Sequence, residues 1–273
     1  MDLPTDLPMP LLYKVRQKLE VPVVEDIPGT VRAELLRIGI DKLVKPGQRI
    51  ALTAGSRGIV NIVSILKTTG DVLKELGAKP FIVPTMGSHG GASPEGQRNV
   101  LKNLGISEET VGMPIISSLE VVRVGTTPEG TPVYVDKNAA ESDGILVVAR
   151  VKPHTDFEGP IESGLFKMMT IGLGKHKGAL AAHRAAMTFG FQTAIPSIGR
   201  VMLKELPIVC GLGIVENAYD QTAKIQAVPK EHFEEEEMKL LALAKRLIAR
   251  LPYDKMDILL VDEIGKDITG AGM

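Results

Sequence analysis

Apolar residues in this chain gather into short dense runs separated by longer amphipathic stretches. RIALTA (Arg49–Ala54), KPFIVPT (Lys79–Thr85), GILVVARV (Gly144–Val151) and LPIVCGLGIV (Leu206–Val215) are almost continuously apolar. That is the pattern of strands buried on both faces. Between the first two lies GIVNIVSILKTTGDVLKELG (Gly58–Gly77), apolar at helical spacing, with Gly77 suited to end a helix. ASPEGQRNVLKNLG (Ala92–Gly105) carries a helix start: Ser93 as N-cap, Pro94 in the first position and Glu95 at the positive end of the dipole. HFEEEEMKLLALAKRLIARL (His232–Leu251) is an amphipathic helix, acidic early and basic late, and its run of glutamates at 234–237 reads as a solvated first turn. EVVRVGTTPEGTPVYVD (Glu120–Asp136) holds two alternating runs around a PEG turn, the signature of a β-hairpin. MDILLVDEIG (Met256–Gly265) reads as one more strand. The order predicts an α/β domain with a mostly parallel sheet flanked by helices, Rossmann-like, plus a small β-hairpin. In such sheets ligands bind at loops beyond the carboxyl ends of the strands.

Composition narrows the functional classes. The chain has 273 residues, 44% hydrophobic and 24% charged, an ordinary globular balance. The net charge of −1 gives no electrostatic reason to bind nucleic acid or an anionic membrane. Tryptophan is absent and aromatics are 4%, so stacking platforms for single-stranded nucleic acid are not expected. Cys210, alone of its kind, sits in an apolar run and reads as a buried small hydrophobe. The acidic, proline-rich start MDLPTDLPMP lacks the features of a signal peptide, and no apolar run reaches the ~18 residues of a membrane span. A cytoplasmic setting is the expectation.

Three clusters of chemistry-bearing residues fall where strands end. In TAGSRGI, Arg57 stands between a strand and a helix, where a guanidinium can hold a carboxylate or phosphate with two parallel bonds. In PTMGSHGGASPEG, His89 lies among glycines before a capped helix. The third runs VKPHTDFEGPIESGLFKMMTIGLGKHKGALAAHRAA (Val151–Ala186) and holds three of the five histidines. There His154 follows a strand, and Lys167 sits in an apolar stretch where a lysine must be paired, neutral or covalently used. GLGKHKG, with Gly172, Gly174, Lys175 and Lys177, reads as an anion-binding turn. His183 follows in an alanine-rich helical stretch where an imidazole could ligate a metal. Neither a phosphate-loop signature nor an H-E-x-x-H pair is present.

In this order the clusters resemble the nickel-dependent lactate racemase family. The matching pieces are SRG at Arg57, MGSHGG at His89, KPHTDFEG at His154, FKMM at Lys167 and AAHRA at His183, with sixteen positions from Lys167 to His183 as in the family. The resemblance implies a nickel-pincer nucleotide tethered to Lys167, nickel ligated by His183, and His89 and His154 as paired acid–base groups. Arg57 would clamp a substrate carboxylate. It also implies racemisation or epimerisation of a small-molecule 2-hydroxy acid by hydride transfer, and a dependence on cofactor-synthesis enzymes as partners. The family joins this N-terminal region to a second domain that closes over the cofactor. That C-terminal domain is expected to lie outside residues 1–273.

Two departures from the family pattern matter. Ala54 stands where the family has an acid three positions before the arginine, and the segment from His154 to Lys167 is three residues longer, with PIESG in place of a shorter turn. The longer segment keeps Lys175 and Lys177 as alternative anchors. Two other functions use the same residues: a binding protein for a phosphorylated or carboxylated small molecule, and a metal-assisted hydro-lyase or hydrolase. The identity of the hydroxy acid and the oligomeric state are not legible in the sequence.

Overall fold

In a computed structural model, residues 11–263 are described. Five strands form the main sheet: β1 (Arg49–Ala54), β2 (Lys79–Pro84), β5 (Gly144–Arg150), β6 (Ile208–Glu216) and β7 (Thr222–Pro229), in the order β2-β1-β5-β6-β7. All neighbours are parallel except β6 and β7, which form an antiparallel edge. The expected hairpin is there as β3 (Val121–Thr126) and β4 (Pro132–Asp136), paired apart from the main sheet. The α/β reading with a mostly parallel sheet therefore holds.

Successive residues of the central strands point to opposite faces, and each face has its own core. Ile50, Leu52, Leu146 and Val148 pack with Leu35, Ile65 and Leu66 of the Ile27–Arg37 and Ile62–Glu75 helices. Ala51, Ile145, Val147 and Ala149 pack with Phe166, Ile198 and Leu240 on the other side. Double-sided burial is why the strands read as unbroken apolar runs. The Pro94–Asn103 helix begins as its sequence predicts, with the Ser93 hydroxyl accepting from the Gly96 N–H.

The chain leaves β1 toward β2, then returns to the other side of β1 as β5. The connection therefore reverses direction between β1 and β5, and a crevice opens at their carboxyl ends. Backbone pairing between them covers only Ile50–Leu52 against Gly144–Leu146. Beyond that the Thr53 hydroxyl spans the gap, accepting from the Val148 N–H at 2.8 Å and donating to the Val148 carbonyl at 3.1 Å. The strand expected at Met256–Gly265 is not formed within its described part, Met256–Glu263. Ile258 and Leu260 are exposed, and the run meets no strand edge with which to exchange backbone hydrogen bonds.

Candidate active site

The crevice is a cleft of about 630 Å³. Arg57, His89, His154, Lys167 and His183 all line it. The first three arrive on the loops after β1, β2 and β5; the last two come from helices that cross the sheet's open end.

His89 sits in a loop made of unusual backbone. Gly87, Gly90 and Gly91 all have positive φ, and at Gly90 a Cβ would lie 2.6 Å from the backbone of Gly96 and Gln97. The His89 Nδ1 meets the Ser56 hydroxyl at 2.5 Å. Beneath the loop Gln97 is fully buried and donates to the carbonyls of Gly87 at 3.0 Å and His89 at 3.4 Å.

His154 is held by its neighbours rather than by an element. Its backbone N–H donates to Glu162 at 2.7 Å, and Glu162 also takes the Gly159 N–H and pairs with Lys245. The ring stacks on Phe157 at 4.3 Å; Phe157 stacks on Phe191, whose ring meets His183 edge-on at 5.5 Å. Burial, and then the nearby Lys167 cation, push His154 down to about 4. The imidazole is therefore neutral at pH 7. Its Nδ1 accepts from the Asp156 N–H at 3.1 Å, which assigns the ring proton to Nε2.

Lys167 ends a short Leu165–Lys167 helix that runs on as a π-helix, Met168–Leu173. π-turns of this kind recur at functional sites. Burial first, then the cations of Lys152 and Arg57, bring its ammonium down to about 8. His183, in the Lys175–Phe189 helix, is also lowered, by burial and then by Lys167. An imidazole kept neutral in this way can donate its lone pair to a metal.

The three extra residues before Lys167 are absorbed in a closed loop. Lys152 and Ser163 exchange backbone hydrogen bonds across its neck, and Glu162 ties its interior. The longer segment thus still delivers Lys167 to the cleft.

The anion-binding turn expected at Gly172–Gly178 is a tight junction between two helices: the π-helix ends at Leu173, the chain bends at Gly174 and Lys175, the latter at φ 54°, and the Lys175–Phe189 helix follows at once. Lys175 is fully buried, where its ammonium lies 3.3 Å from the Asp136 carboxylate, donates to the Pro84 carbonyl, and reaches the Gln97 Oε1 at 3.1 Å. Lys177 lies over the Tyr134 ring, 4.4 Å from its centroid. Neither lysine lines the cleft, and Gly174 packs on the carbonyl of Thr170. Gly172 alone of that motif borders the cleft. The two lysines therefore drop out as alternative anchors.

Sequence patterning also missed residues that the site uses. Phe157, though inside KPHTDFEG, and Phe191 gave no sign of stacking, because it depends on the loop after β5 meeting the start of the Phe191–Glu205 helix. Glu237 belongs to the glutamate run read as solvated, yet it is fully buried. Its carboxylate accepts from the Phe166 N–H at 2.8 Å at the start of the helix that bears Lys167, and burial raises it to about 8. A Cβ on Gly164 would lie 2.3 Å from that carboxyl.

A family profile described as the lactate racemase N-terminal domain matches residues 13–193, a span that contains every one of the five cleft residues. The chain belongs to the lactate racemase N-terminal domain family. A search among curated proteins finds no match. Among solved structures, the lactate racemase apoprotein from Thermoanaerobacterium thermosaccharolyticum is similar with a TM-score of 0.59 at 15% identity. The match covers 84% of this chain and 59% of that one, so this chain spans well under two thirds of the racemase. At that identity the likeness shows the fold. Among the described residues, no helix is long and apolar enough to cross a membrane.

Proposed function

We propose that this domain carries the cofactor and the acid–base groups of a 2-hydroxy-acid racemase or epimerase. The supporting observation is the convergence of Arg57, His89, His154, Lys167 and His183 on one cleft at the reversal point of the sheet. The donor set fits a nickel-pincer nucleotide. Lys167 offers an amine of lowered pKa as the point of attachment, and His183 offers one neutral imidazole. No group of three metal-ligating side chains converges among the described residues, so a metal at His183 would take its other donors from the organic group. When bound, such a nucleotide supplies the hydride acceptor that this isomerisation needs.

The protein's own residues do the remaining work. Arg57 holds the substrate carboxylate through two parallel bonds. Loss of hydride from the carbinol carbon requires the hydroxyl proton to leave, and inversion requires a proton-handling group on each side. His154, neutral with its proton on Nε2, can donate a hydrogen bond to the substrate hydroxyl; while Lys167 is charged its low pKa makes it a poor base and leaves it without the second proton a general acid needs. His89, its Nδ1 within hydrogen-bond distance of the Ser56 hydroxyl, is the group suited to take the proton. Attachment of a cofactor through Lys167 would remove that lysine's charge and raise His154 toward the ordinary range, evening out the two groups.

The test is co-expression with cofactor-synthesis enzymes, followed by intact mass, bound nickel and racemisation. Lys167→Ala should carry no adduct. His89→Ala and His154→Ala should keep it while losing ~10²–10⁴-fold in rate, the usual contribution of a general acid or base. His183→Ala should keep the adduct with less nickel. An adduct that persists in Lys167→Ala refutes the attachment.

A further inference from the structure

The cleft holds more positive charge than a monocarboxylate substrate accounts for. Arg57, Arg150, Lys152 and Lys167 line it, against Asp156 as its acid among the described residues. Arg150 is already engaged by the Glu216 carboxylate. On the reading above, Arg57 takes the substrate carboxylate and Lys167 takes the cofactor. Lys152 is left over. Its backbone is fixed by the exchange with Ser163, N–H to carbonyl at 2.9 Å and 3.3 Å, so the side chain starts from a defined point at the end of β5. It is half-buried, and among the described residues no carboxylate lies within ion-pair distance of it. A long cation withdrawn from water without a counter-charge is unfavourable, and a cleft wall of this kind concentrates anions.

We propose that Lys152 is a specificity-determining residue that seats a second oxyanion of the substrate, a carboxylate or phosphate ester distal to the reacting carbon, so that the cleft takes a dianionic 2-hydroxy acid in preference to lactate. This rests on the 2-hydroxy-acid reading. Burial, then Arg150 and Arg57, lower the Lys152 pKa, with the more distant Glu216 and Asp220 carboxylates opposing them, and a bound anion would offset the repulsion from the two arginines. The hydroxyl of Ser163, beside Lys152 in the same wall, offers a neutral donor to the same group.

Malate is lactate with one methyl hydrogen replaced by a carboxylate, which makes the pair a direct probe. Titration calorimetry of both acids against the 273-residue chain without cofactor needs neither nickel nor turnover. Malate should bind about tenfold more tightly than lactate, the scale of one partly solvated charge-assisted bond. Lys152→Met should abolish that advantage while leaving lactate binding unchanged, and Lys152→Arg should retain it. Equal binding of the two acids, no binding of malate, or equal weakening of both by Lys152→Met overturns the proposal. So does a Lys152→Met variant that keeps its malate preference but loses affinity for nicotinic acid mononucleotide, because the cation would then serve a cofactor phosphate. A chain that prefers malate through Lys152 yet never carries an adduct would sink the racemase reading and leave this one standing.

Discussion

Lys167 should titrate far below the ordinary lysine value. Its ammonium is brought from 10.5 to about 8, chiefly by burial, with Lys152 and Arg57 adding repulsion and Asp156 opposing them. The difference is about 2.5 units. At pH 7 about 9% of a group titrating at 8 is free amine, against about 0.03% at 10.5, so Lys167 should offer about 300-fold more nucleophile than a solvated lysine. Pulse acetylation across pH 6–11, read peptide by peptide by mass spectrometry, measures this directly. The Lys167 peptide should reach half its maximal rate near pH 8. Lys152→Met should move the Lys167 midpoint upward, since Lys152 is the larger of the two repelling cations. Once Lys167 is acetylated its charge is gone, and the His154 imidazole resonance should titrate above its native value of about 4. If Lys167 labels in step with the surface lysines, the desolvation argument fails, and with it the reason for expecting this residue to react.

Lys175→Met should cost about 3–5 kcal/mol in urea unfolding, because it leaves the fully buried Asp136 without its cation; a loss of about 1 kcal/mol or less would mean the pair behaves like a solvated one. Glu237 is raised from 4.5 to about 8 in the fold, so the stability it contributes is complete below 4.5 and is lost as pH rises through 8. Glu237→Gln should therefore gain on the wild type between pH 5 and 9 in denaturant titrations, and parallel curves would refute the buried acid. The Cys210 thiol, fully buried and pushed up to about 12, should not react with a disulfide reagent in the native protein at pH 8; stoichiometric reaction before unfolding would contradict its burial.

The sheet was legible because strands buried on both faces write themselves as apolar runs. β1, β2 and β5 fall within the stretches that hydrophobicity marks, and β6 overruns its stretch only by Glu216. β7 was missed: in TAKIQAVP its polar positions alternate with apolar ones, because only part of an edge strand is covered. Met256–Gly265 failed for the opposite reason. Its described part has a strand's composition without a neighbour to bond to, and pattern alone cannot tell the two apart. The cleft histidines and Lys167 stood out because polar side chains beside strand ends are rarely core. The Gly172–Gly178 stretch misled, since lysines among glycines suggest an anion site, whereas here the glycines allow a close approach to Thr85, Thr170 and Tyr134 and the lysines turn to Asp136 and Tyr134. Glu237 could not have been separated from Glu234, Glu235 and Glu236 by type. Only its place on the inward side of the Phe233–Leu247 helix, one turn before Leu240 and Leu241, distinguishes it.

The hydroxyl of Thr53 has a genetic consequence. Between β1 and β5 the continuity of hydrogen bonding passes, for one residue, from peptide groups that every amino acid shares to a side chain that few possess. Both polar groups of Val148 are satisfied by that single oxygen. Serine can replace it. Valine, which matches its shape, would strand a buried donor and a buried acceptor at the mouth of the cleft. The point where the sheet parts is thereby encoded at one codon, and a change there that conserves volume would be more damaging than many that do not.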